Sequence, residues 1–92
     1  MSTKADAKFA ELLGKSWLAI YNSVVNDNNP VLGSASDDRT ITDFLEGHLS
    51  KEDYLYITKS EEFNYDLFTE TIFNLYHEFD LYSLDPMYRK TY

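Results

Sequence analysis

Glu62, Asp66 and Glu70 stand four residues apart, and Asn74 and Glu78 continue the same step. On an α-helix that spacing puts all of them on one side, about 6 Å of rise apart. Carboxylates in such a row suit two kinds of chemistry. They can move protons, as the adjacent pair Glu61 and Glu62 could, if a concave pocket holds a substrate against them; or they can meet a cationic surface. A helical chain of 92 residues has little room to enclose such a pocket, so the spacing favours binding over catalysis and no enzyme activity is expected.

The other residue types with reactive side chains support that choice. His77 has Glu70, Glu78 and Asp80 near it in sequence, but neither a Glu-x-x-His nor a His-x-x-x-His pair exists to chelate a metal from one helix face. No Ser or Thr is spaced to serve either histidine as a nucleophile, and His48 lies beside Gly47 at an expected helix end. Gly14-Lys15-Ser16 matches the end of a phosphate-binding loop, yet Phe9 stands where that loop needs its first glycine, and the three letters fall inside an amphipathic helical pattern. With no cysteine, the composition excludes a disulfide framework, thiolate metal sites and a thiol nucleophile. No cofactor and no metal are expected.

Charge is distributed very unevenly. The chain carries 16 acids and 8 Lys or Arg, a formal net charge of −8. Nine of the acids (Glu52, Asp53, Glu61, Glu62, Asp66, Glu70, Glu78, Asp80 and Asp85) and a single base, Lys59, lie within 52–85, so this segment carries −8 and the remainder sums to zero. Such a field repels nucleic acid and anionic membranes and attracts basic protein surfaces. Like charges four residues apart destabilise a helix by a few tenths of a kcal/mol per pair. A surface shaped to meet positive charge would tolerate that cost; a solvated face that merely keeps the chain soluble is the plainer alternative. Tyr56, Tyr65 and Tyr76 lie in the same acidic half, and tyrosine supplies rigid amphipathic contact area at protein interfaces.

The elements that must position these groups are helical. Over 3–26, Phe9, Leu12, Leu13, Ser16 or Trp17, Ile20, Val24 and Val25 recur at helical spacing, and 26–30 (Asn-Asp-Asn-Asn-Pro) stops the run. Thr40 or Thr42 is placed to cap a short second helix with Ile41, Phe44, Leu45 and Leu49 inward, closed by Gly47 in the left-handed region. Ser50 with Asp53 three residues later reads as the start of a third helix, although 54–58 also has strand propensity. From Phe63 onward, Leu67, Phe68, Ile72, Leu75, Phe79 and Tyr82 keep helical spacing, and the absence of Gly and Pro over 51–85 would allow the third and fourth helices to be continuous.

The whole chain, 1–92, therefore reads as a single acidic domain, an all-α bundle of three to four helices with a mobile loop at 27–39 and a short tail at 86–92. The dozen residues from Asp43 to Tyr54 resemble a helix junction of the heme oxygenase and thiaminase-like fold. The shared grammar of a glycine stop followed by a serine cap accounts for the likeness, and no residue role is carried over.

The composition points to a soluble, cytoplasmic protein, in the host cytoplasm if phage-encoded. It would act as a small stoichiometric antagonist of the anti-defence kind, anti-CRISPR-like or anti-restriction-like, filling the basic groove of a nucleic-acid-binding protein by charge mimicry. The expected contacts are Glu52, Asp53, Glu61, Glu62, Asp66, Glu70, Glu78, Asp80, Tyr56, Tyr65 and Tyr76, with no direct contact to nucleic acid or membrane. The alternative is a helical assembly or adaptor protein, a homodimer or one subunit of a larger core, because a chain this small buries only ~60–65% of its unfolded surface alone.

Overall fold

The computed structural model describes residues 4–29, 31 and 38–84. It is an all-α bundle: α1 (Lys4–Tyr21) runs into a π-helical turn (Asn22–Asn26), followed by α2 (Asp38–Glu46), α3 (Lys51–Lys59), α4 (Tyr65–Glu78) and the single-turn α5 (Leu81–Leu84). There is no strand among the described residues, and no helix there is long and apolar enough to cross a membrane. The expected tail at 86–92 and, of the expected mobile loop at 27–39, residues 30 and 32–37 lie outside the described residues.

On α1 the predicted register holds. Leu12, Ser16 and Ile20 are fully buried at four-residue steps, with Phe9, Leu13 and Trp17 packed beside them. The last turn widens: the Asp27 amide donates to the Asn22 carbonyl at 3.0 Å and the Asn29 amide to the Ser23 carbonyl at 2.8 Å. The turn buries both Ser23 and Val24. Asn28 then takes a positive φ of 55°, which asparagine tolerates better than most residues, and the helix stops. Val31, expected in a loop with little to bury, is a core residue at 6% exposure.

α2 begins earlier than predicted. It starts at Asp38, so Arg39 belongs to the helix and not to the loop, and Thr40 and Thr42 are interior positions. The Thr42 hydroxyl donates to the Arg39 carbonyl at 3.0 Å, a bond within the helix where a cap was expected. Ile41 and Leu45 face inward as predicted. Gly47 lies outside the left-handed region; the helix ends instead through bonds from the Gly47 amide to Phe44 and from the His48 and Leu49 amides to Leu45.

Between α2 and α3 the chain turns as the sequence indicates. The Ser50 hydroxyl accepts from the Asp53 amide at 3.1 Å, and the segment that follows is helical throughout, which removes the strand alternative for 54–58.

α3 and α4 are separate, contrary to the continuous reading. Ser60 is extended (ψ 131°) and its hydroxyl accepts from the Glu62 amide at 3.2 Å, while the Asn64 side chain accepts from the Leu67 amide at 3.0 Å to cap α4. Two polar side chains thus break the helix where neither Gly nor Pro is present. Phe63, between them, is buried against Phe9 and Phe68 at ring separations of 5.2 Å each. α4 covers α1 with Phe68, Ile72 and Tyr76, and Tyr76 meets Trp17 edge to face at 6.1 Å.

Candidate functional site

Two caps set the position of the acidic residues. The break at Ser60 to Asn64 places Glu61 and Glu62 in the turn ahead of α4. The predicted row of Glu62, Asp66 and Glu70 on one helix is therefore not formed: Glu62 precedes the cap. On α4 itself Asp66, Glu70, Asn74 and Glu78 remain a four-residue series, and all four are exposed. The row covers ~18 Å of axis, a length over which one strand of B-DNA carries about five phosphates. Asp66, in the first turn, is favoured by the helix dipole, whereas Glu78, in the last, is opposed by it.

Beyond the row, Glu61, Glu62 and Asp80 are also exposed. Asp80 has φ 55°, in the tight turn between α4 and α5, where its amide donates to the His77 carbonyl at 3.2 Å. Residues 60–80 therefore present six outward carboxylates, Glu61, Glu62, Asp66, Glu70, Glu78 and Asp80, in a stretch with no lysine or arginine. Among the described residues no lysine or arginine approaches Glu61, Glu62, Asp66, Glu70 or Glu78 within ion-pair distance. The nearest defined partner of any of these side chains is the Tyr56 hydroxyl, which donates to Glu62 at 3.4 Å.

Two predicted contact residues are buried and belong elsewhere. Asp53 is buried at 8% exposure, and its carboxylate is held by Lys15 at 3.2 Å and by Lys8 at 3.5 Å. Burial works against the ionised carboxylate, but the hydrogen bond and charge of Lys15, with the charge of Lys8, outweigh it and hold the Asp53 pKa below the ordinary aspartate range. Lys8 also pairs with Glu11 at 3.3 Å; that hydrogen bond is the largest influence on its pKa, which is raised on balance although desolvation opposes it.

Tyr76 is the second correction. It is completely buried, wedged against Trp17, because its place on α4 is the inward one shared with Phe68 and Ile72. Tyr56 and Tyr65 are half-buried and pack on the core, so they border the acidic face without standing out from it.

Glu52 is exposed on α3, as are Lys51 and Lys59 on the same short helix.

The lysine pair that holds Asp53 had a signal in the sequence: Lys8 and Lys15 are seven residues apart, hence on one face of α1. Leu67 and Phe79, predicted inward, are 47% and 51% exposed. Leu67 adjoins the acidic row on α4, and Phe79 stands at its end against Trp17 and Tyr21, with ring separations of 5.6 and 6.3 Å.

All six carboxylates are exposed, three of them in a four-residue series along α4 and three in the turns that flank it. No cluster of three or more His, Asp or Glu able to hold a metal ion occurs among the described residues. His77 is exposed on the same helix, and His48 is exposed and stacked on Phe44 at 3.9 Å, with Nδ1 2.8 Å from the Phe44 carbonyl. Compared with known proteins, the chain matches no family model, no curated protein and no solved structure.

Proposed function

We propose that the chain is a small, non-catalytic, acidic antagonist that occupies the basic groove of a nucleic-acid-binding protein, in the manner of phage or mobile-element anti-defence proteins acting in the host cytoplasm. The observation that carries this reading is the set of six exposed carboxylates over 60–80, in a stretch free of lysine and arginine. Folding alone gives no reason for the arrangement: Asp66 and Glu70, and Glu78 beyond Asn74, repel along one face. Asp53 shows what the fold does with an acid it needs, drawing two lysines onto it. Glu61, Asp66, Glu70 and Glu78 have no lysine or arginine within ion-pair distance among the described residues.

The caps on either side of the turn fix the face before any partner binds, so little ordering entropy would be spent on docking. Leu67, beside the row, adds an apolar contact that a purely solvating face would not need. Binding of this kind is steered by charge and weakens with salt.

The test is capture of partners from a cell lysate on the immobilised chain at low salt, followed by competition with duplex and single-stranded nucleic acid. A basic nucleic-acid-binding protein displaced by its own nucleic acid supports the reading. If nothing basic is captured, or captured proteins are indifferent to nucleic acid, the reading fails.

A further inference from the structure

Phe79 closes α4 with about half of its surface in solvent, although its spacing from Ile72 and Leu75 would carry it inward. The rest of the ring is held. Trp17 and Tyr21, both half-buried on α1, stand 5.6 and 6.3 Å from it, inclined at 42° and 82°. The turn that follows keeps it in place: the Phe79 amide donates to the Leu75 carbonyl at 2.9 Å, the Asp80 amide donates to the His77 carbonyl at 3.2 Å, and Asp80 takes a φ of 55°. Glycine is the usual residue at such a left-handed helix end. With aspartate there, the ring is flanked in sequence by two exposed carboxylates, Glu78 and Asp80.

An aromatic ring between carboxylates has a counterpart in nucleic acid, a base between phosphates. In a duplex the flat faces of the bases are covered by stacking, and groove-binding proteins meet phosphates and base edges. In a single strand those faces are open, and the proteins that hold it combine a cationic track with aromatic side chains on which the bases stack. The backing of Phe79 by Trp17 and Tyr21 presents its exposed part to such a platform already ordered. The cationic track is matched as well, because 60–80 carries no lysine or arginine to oppose it.

We propose that 78–80 is the part of the acidic surface that meets a base-stacking platform, so that the groove the chain occupies is one built for single-stranded nucleic acid. Phe79 stands in for a base, and Glu78 and Asp80 for the phosphates on either side. This inference rests on the antagonist reading and narrows its partner from nucleic-acid-binding proteins at large to those that hold single strands.

Two peptides separate the ring from the charge: Lys-Trp-Lys, cationic with a stacking indole, and Lys-Ala-Lys, equal in charge without one. Each is titrated into the full chain at low salt while amide and aromatic NMR shifts are followed. Both peptides are expected to move signals over 66–80, which is all that an acidic surface open to cations requires. Lys-Trp-Lys alone is expected to add ring-current shifts at Phe79 and to bind roughly tenfold more tightly. Phe79→Leu should bring the two peptides to equal affinity, and Phe79→Tyr, which keeps a π face, should preserve the difference; circular dichroism of both variants shows whether the fold is kept. Equal binding of the two peptides by the native chain overturns the inference and leaves the acidic surface standing, as does a preference for Lys-Trp-Lys that survives in Phe79→Leu. Binding of neither peptide contradicts both the inference and the reading beneath it.

Discussion

Lys15 Nζ lies 3.2 Å from Oδ2 of Asp53, tying the middle of α1 to the first turn of α3 across 38 residues of chain. The contact determines which acids are structural. The Asp53 amide also donates to the Ser50 hydroxyl, so the residue whose backbone satisfies the Ser50 cap locks two helices through its side chain. Replacing Asp53 by Asn keeps the shape and removes the charge; a loss of about 1 kcal/mol at neutral pH is expected, between an exposed ion pair and a charge-assisted hydrogen bond. Urea unfolding of both proteins measures it.

The same pair predicts a pH dependence. Asp53 titrates below the ordinary aspartate range in the folded chain, so its contribution is fully present above the unfolded value of ~3.9 and is lost as pH falls through the lower folded value. The stability gap between the native chain and Asp53→Asn should therefore be constant from pH 7 to about 5 and close in stronger acid. A gap that persists at the lowest pH at which both proteins still fold would show that the charge is not its source.

Asn64 separates α3 from α4 and sets where the acidic row begins, because its side chain accepts from the Leu67 amide. Asn64→Ala should cost about 1 kcal/mol, and Ser60→Ala should act in the same direction through loss of the Glu62 amide bond. Thermal melts of the two single variants test this. Unchanged melting temperatures would mean that the break is imposed by Phe63 packing alone.

Much of the architecture was legible. The four-residue recurrence of Leu12, Ser16 and Ile20, the Ser50 cap and the stop at Asn28 are local signals, and local signals survive into the fold. The break between α3 and α4 was not legible, because Ser60 and Asn64 are compatible with either a helix interior or a cap, and only the burial of Phe63 between them decides. Segment charge and composition point Asp53 and Tyr76 outward. Which face a residue occupies on a short helix depends on the neighbouring helices, and α1 claims both.

Tyr76 offers a direct check on that assignment. Completely buried against Trp17, it should behave as a core residue, with Tyr76→Ala destabilising by roughly 3–5 kcal/mol. At its outer position Glu70→Gln should leave stability unchanged or raise it by a few tenths of a kcal/mol by relieving repulsion from Asp66. Chemical denaturation separates the two classes.

The most direct measurement of the antagonist reading is the salt dependence of binding to the captured basic protein, compared between the native chain and a variant carrying Asp66→Asn, Glu70→Gln and Glu78→Gln together. These three residues are exposed on α4, and among the described residues no lysine or arginine lies within ion-pair distance of them, so the variant should fold normally. The predicted result is weaker binding at low salt and a shallower fall in affinity as salt is raised. Equal affinity and an equal slope in the two proteins would contradict the reading.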